Sequence, residues 1–219
     1  MLFTLITFIV LTCFIFSLVY LRKSETGWWQ KFRLFLLLTT LIESTGYCLY
    51  FIFGINNHAL FNSFLPVEYL FLSWVMYKLS SPYYNCRPWI ISGLAVIIII
   101  YLFESITAKF NGYSANSTIA ASVFFTLLAG LYFYHFMRHD KPEKLGTFPP
   151  FWIVTGIFIF YFCGTGINFF FDYLASVNTV HPFNLKLTRY KIFIILNFIL
   201  YACWAYAFIC RHHQTISAE

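Results

Sequence analysis

Charge is what this chain has least of. Asp, Glu, Lys and Arg make up 10% of its 219 residues, and 60% are hydrophobic. Soluble domains carry about 25% charged and roughly 45–50% apolar residues. A water-soluble fold of this size could not hide so much apolar surface, so lipid must cover it. No Lys or Arg precedes the apolar run that starts at Leu2. That run therefore lacks the basic start of a secretory signal and reads as a retained first helix. Soluble inserts are missing too, because no segment between apolar stretches exceeds about fifteen residues. That leaves no room for a kinase, cyclase or other aqueous output domain. The six cysteines, Cys13, Cys48, Cys86, Cys163, Cys203 and Cys210, have neither zinc-like spacing nor a disulfide framework. They read as small hydrophobes.

Catalytic patterns are equally sparse. There is no Ser-His-Asp order and no nucleophile elbow. A retinal-type Schiff base needs a lysine deep in a helix, but Lys191 stands at a helix end. His135 and His139 have a spacing that could share a metal, and His212 and His213 follow on the same side, but Arg138, Lys141 and Arg211 lie beside them. Those cations repel a metal, so solvated helix ends are the simpler reading. On the opposite side only His58 and His181 are available, too few for a membrane zinc hydrolase. No cofactor and no metal are expected, and an enzyme is the weaker option.

What is present is a set of seven long apolar segments. They predict an all-α integral membrane bundle of seven transmembrane helices, one domain over 1–219. The spans fall at about 2–21, 32–53, 64–79, 89–104, 118–137, 151–174 and 189–210. Pro66 would then lie in the first turn of the third helix, where the missing N–H has no helical partner. Aromatics are abundant, with Trp28, Trp29 and Trp89 expected in interfacial belts. The Val96–Tyr101 run is expected to face lipid.

The net charge is +6, which in a soluble protein would suggest nucleic acid. Here the cations sit in short loops and act as a topology signal and anionic-lipid contact. Arg22, Lys23, Lys31, Arg33, Lys78, Arg87, Arg138, Lys141, Lys144 and Arg211 fall on one side, and Lys109, Lys186, Arg189 and Lys191 on the other. Ten against four predicts an outside N-terminus and a cytoplasmic C-terminus in the inner (plasma) membrane. The expected partner is the bilayer, with a small-molecule ligand, a signalling partner or a second copy of the chain as further candidates. Nucleic acid is not among them.

Ionisable groups within the spans carry the functional signal. Glu43 sits near the middle of the second span, roughly 16 Å from either face of a ~30 Å hydrocarbon core. A carboxylate there is costly and should face protein or water. Glu43, Gly46, Tyr47 and Tyr50 share a helical face at i, i+3, i+4 and i+7. Tyr161, Gly164, Thr165, Asn168 and Asp172 share one on the sixth helix, and Tyr190, Asn197, Tyr201 and Trp204 on the seventh. Glu68 adds a second acid, expected one turn below the outer end of the third helix. One polar pocket open to the outside, formed by Glu43, Tyr47, Glu68, Asn168, Asp172, Asn197 and Tyr201, would satisfy these groups together. Hydrogen-bonded packing between helices is the bland alternative.

Three stretches, NSFLPVEYLFLS (62–73), PPFWIVTGIFIFYFCGTGINFFF (149–171) and LNFILYACW (196–204), resemble small bacterial seven-helix membrane proteins of unassigned activity. Related modules stand alone or ahead of histidine kinases and look like membrane sensors. The shared features are Glu68, the Pro150-Phe151-Trp152 start of the sixth helix, and Asn197. The resemblance implies a small-ligand sensor or signal-transmitting module. A small-solute, proton-coupled transporter and an oligomeric effector or pore subunit are the alternatives.

Overall fold

The computed structural model describes residues 3–21, 27–108, 114–138, 145–176 and 182–217. These form seven helices: α1 (Phe3–Tyr20), α2 (Trp28–Phe51), α3 (His58–Ser80), α4 (Arg87–Ala108), α5 (Ala115–Met137), α6 (Pro149–Ser176) and α7 (Pro182–Ile216). A 3-10 turn, Leu145–Thr147, precedes α6, and no strand occurs among the described residues. Helices α2 to α7 are long and apolar enough to cross a membrane, and α1 is a shorter apolar helix. Leu, Ile and Phe side chains stand exposed along the outside of the bundle, as with Phe8, Leu34, Ile99 and Phe198. Apolar exposure on that scale requires a lipid surround.

Each helix packs on the next in sequence, and α7 returns to α1, so the bundle is a closed ring. In addition, α3 touches α5, which draws α3 toward the centre. Short links make sequential neighbours antiparallel. The α6–α7 contact relies on close approach at Gly156, where an added Cβ would stand 3.1 Å from the Leu200 carbonyl oxygen and from the Cys203 Cβ. Small residues are favoured at such membrane interfaces because backbones can approach.

Several expected boundaries move. α2 starts at Trp28, four residues before the expected Phe32, after Gly27 turns the chain at φ 76°. α3 starts at His58 instead of 64, because Asn56 Oδ1 accepts the His58 N–H (3.0 Å) and supports the first turn. α7 begins at Pro182 and runs to Ile216, beyond the expected 189–210 at both ends.

The α3 boundary changes the role of Pro66, which now lies inside the helix and not in its first turn. Proline has no N–H to give the carbonyl four residues back. That carbonyl belongs to Asn62, and the Tyr101 hydroxyl of α4 donates to it at 3.0 Å. The Asn62 side chain is buried and accepts the Ser114 N–H at the start of α5 (3.4 Å). Asn62 thereby ties α3 to α4 through the carbonyl that the proline leaves open, and to the start of α5 through its side chain.

The aromatic belt is also partly corrected. Trp89 is exposed at the start of α4 as expected, but Trp29 is 4% exposed and packs on Phe32 and Phe208. Along Val96–Tyr101, Val96 and Ile99 face out, whereas Ile97 and Tyr101 are buried. His135 stacks on Tyr84 at 4.4 Å between ring centres. His139 and His181 lie outside the described residues, as do Arg22, Lys23, Lys109, Lys141 and Lys144.

Candidate functional site

A cavity of about 230 Å³ lies at mid-height inside the ring, between α2, α3, α6 and α7. That is many times the roughly 10–15 Å³ of such volume needed to admit one water. On α2 its wall is Phe35, Thr39 and Glu43, spaced four apart on one face. α3 contributes Glu68 with Phe61, Phe64, Leu65 and Leu72. α6 gives Ile157, Phe160 and Tyr161, and α7 gives Asn197, Leu200, Tyr201 and Trp204.

The sequence-predicted residues thus divide. Glu43, Glu68, Asn197 and Tyr201 come together in this one cavity. Tyr47 does not line it; its ring packs on Phe51 at 4.8 Å. Tyr50, expected on the same face, is 52% exposed. Asn168 is also elsewhere, buried nearer the α6–α7 link, where Arg189 Nη2 donates to its Oδ1 at 2.7 Å. Asp172 lies on α6, with its side chain outside the described residues.

The depth order is reversed as well. Glu68 is the eleventh residue of the 23-residue α3, at its centre. Glu43 is the sixteenth residue of the 24-residue α2, past its centre. The α2–α3 register agrees. Gly46 faces Phe61, and Phe35 stacks on Phe71 at 3.8 Å, so Glu68 sits about one turn closer than Glu43 to the Trp28 end of α2. Glu68 lies at the middle of α3 and not one turn from its start, because α3 begins at His58, six residues before the expected 64.

The two acids are held differently. Tyr161 Oη donates to Glu68 Oε1 at 3.0 Å. Protein surrounds Glu68, and the surface it keeps faces the cavity. Glu43 has no hydrogen-bond partner among the described residues, and it interacts with Glu68 only through space. Asn197 Nδ2 donates to its own helix at Phe193 O (2.8 Å), leaving Oδ1 as an acceptor. Thr39 bonds its own helix as well, through Phe35 O (2.9 Å). Such back-bonding satisfies a hydroxyl without reaching across the bundle.

The floor of the cavity is aromatic. Trp204 is 2% exposed, meets Phe32 edge-on at 4.9 Å, and its indole N–H donates to Ile153 O at 3.4 Å. Tyr201 packs edge-on against Trp204 at 5.4 Å. The other edge of Tyr201 borders an apolar groove of about 380 Å³ between α1 and α7, beside Phe8, Cys13 and Phe198. Tyr201 therefore separates the acidic cavity from the lipid-facing side of the ring.

Sequence reasoning placed Tyr161 on the correct face but not in the site. The signal was its position one turn before Gly164 and Thr165. Phe35, Phe64 and Phe160 gave no separate signal among 29 phenylalanines. Among the described residues, no three His, Cys, Asp or Glu side chains gather as a metal site would require. The chain matches no known family model, no curated protein and no solved structure.

Proposed function

We propose that this chain is a multi-pass plasma-membrane sensor, N-terminus outside and C-terminus cytoplasmic, that binds a small ligand in the central cavity. Ligand contact with Glu43, Glu68, Asn197 and Tyr201 shifts α3, α6 and α7 against one another. Their cytoplasmic ends pass that shift to a partner chain. The supporting observation is that acids and an amide from α2, α3 and α7 line one void, with Glu43 lacking any hydrogen bond there. An intramembrane carboxylate that is not tied up in packing is a functional group by default. The proline gap at Pro66, two residues from Glu68, supplies a joint at which α3 can bend.

Thermal-shift screening of the intact protein in nanodiscs tests this reading. A ligand should stabilise the wild type and not the Glu43→Gln/Glu68→Gln variant. Equal stabilisation of both proteins would refute the cavity as the site.

A proton-coupled solute transporter is the second reading, favoured by the helix interruption beside a membrane acid. It predicts carboxylate-dependent uptake into proteoliposomes. A ligand that binds but is not taken up selects the sensor.

A further inference from the structure

The geometry points to a ligand class: we infer that the cavity takes a small organic cation, an alkylammonium held between Glu43 and Glu68 and enclosed by aromatic faces. The inference rests on the ligand-binding reading above and narrows it.

Three features select this class. First, the cavity wall carries two carboxyl side chains, and no Lys, Arg or His lines it. Two carboxyl groups within interaction range of each other favour an entering cation, which each can pair with, and disfavour an anion. Second, the walls are aromatic from all four helices: Phe35 on α2, Phe61 and Phe64 on α3, Phe160 and Tyr161 on α6, and Tyr201 and Trp204 on α7. Ring faces attract cations through their quadrupole, and aromatic cages are the recurrent solution for substituted ammonium groups. Third, the donors do not gather as a bare metal ion requires, since among the described residues no three His, Cys, Asp or Glu side chains come together. Calcium takes roughly six to eight oxygens and magnesium a near-ideal octahedron. The cavity offers two carboxyl groups, the Asn197 amide oxygen and the hydroxyls of Thr39, Tyr161 and Tyr201, spread over four helices. An alkylammonium needs one or two acceptors, and its hydrocarbon part fits the Phe64, Phe160 and Trp204 walls. The volume of about 230 Å³ is below the ~300–1,000 Å³ of pockets that hold drug-sized ligands, which keeps the cation small.

Calorimetric titration of the intact protein in nanodiscs tests this with matched probes. Choline is compared with its neutral isostere 3,3-dimethylbutan-1-ol, and phenethylamine with 2-phenylethanol. Within at least one pair the cation should bind ten-fold or more tightly than its isostere. Glu43→Gln and Glu68→Gln should each remove ten-fold or more of that affinity. Phe160→Leu should weaken it by roughly 2- to 30-fold, the span of single cation–π contacts. Tyr47→Phe should leave it unchanged. Melting curves establish that each variant is folded, and Tyr161→Phe, which keeps both acids and the ring, should still prefer the cation. The inference is overturned if neither cation binds, if isosteres bind as well as cations, or if the acid variants bind like wild type. A neutral or anionic compound whose binding is lost in Glu43→Gln/Glu68→Gln would overturn the cationic class alone and leave the cavity as a ligand site.

Discussion

Tyr161 on α6 and Glu68 on α3 meet across 93 residues of sequence, with the phenol O–H donating to the carboxylate at 3.0 Å. This bond joins two walls of the central cavity. Tyr161→Phe should lower stability by about 1 kcal/mol, at the modest scale of interhelical bonds in membranes. Glu68→Gln should cost less, because an amide oxygen still accepts from Tyr161. Chemical or thermal unfolding in detergent checks the order. A larger loss in Glu68→Gln would mean that charge, not the hydrogen bond, holds the pair.

The Pro66 gap makes a sharper prediction. Tyr101→Phe leaves the Asn62 carbonyl without its donor and should cost about 1–3 kcal/mol. In a Pro66→Ala background the restored N–H can reach that carbonyl, so the same Tyr101→Phe change should cost less than half as much. A double-mutant cycle measures this coupling directly. Strict additivity would contradict the compensation.

Glu104 is a structural acid. Its two carboxylate oxygens accept the Asn116 and Ser117 N–H groups at 2.8 and 2.9 Å, capping α5 from the end of α4. The first turn of a helix has free N–H donors and a positive dipole end, both of which favour an anion. Glu104→Ala should destabilise by about 2 kcal/mol, and Glu104→Gln by less, since one acceptor remains. Unchanged melting in both variants would contradict the cap.

Cys86, in the link between α3 and α4, is fully buried, and its thiol reaches Tyr77 O at 3.9 Å. Burial pushes its pKa above the usual thiol value. The thiolate is the reactive species, so a raised pKa means less of it at any given pH. Alkylation by iodoacetamide should begin at higher pH than for a free cysteine, and at pH 8 should run ten-fold or more slower in the folded protein than after denaturation. Equal rates would show an open link. Peptide mass spectrometry resolves Cys86 from the other five thiols.

The seven apolar runs were legible in the sequence because their length and lack of charge leave no other fold. Glu43 was legible for the same reason, as one acid in a long apolar run. The start of α3 was not. The segment His58–Ser63 mixes polar and apolar residues and looks like a loop, yet the Asn56 side chain supports its first turn. That error displaced Pro66 from helix interior to helix start and Glu68 from centre to edge. Asn168 was misassigned through the same weakness at α7. With the helix drawn from 189, Arg189 counted as a loop cation, whereas it is the eighth residue of α7 and reaches Asn168. Face-sharing along one helix also could not tell Glu43 from Tyr47. Adjacent turns on one stripe can meet a void in one case and a packed ring in the other.

Glu43 and Glu68 line one common void. Paired cysteine cross-linking measures this most directly. Glu43→Cys and Glu68→Cys are combined in a chain whose six native cysteines are replaced by alanine, then treated in membranes with a short bifunctional thiosulfonate. An intramolecular bridge should form in this pair and not when Leu41→Cys, whose position is 53% exposed on the outer surface, replaces the first partner. No bridge between positions 43 and 68, or one formed equally well from position 41, would contradict the shared cavity.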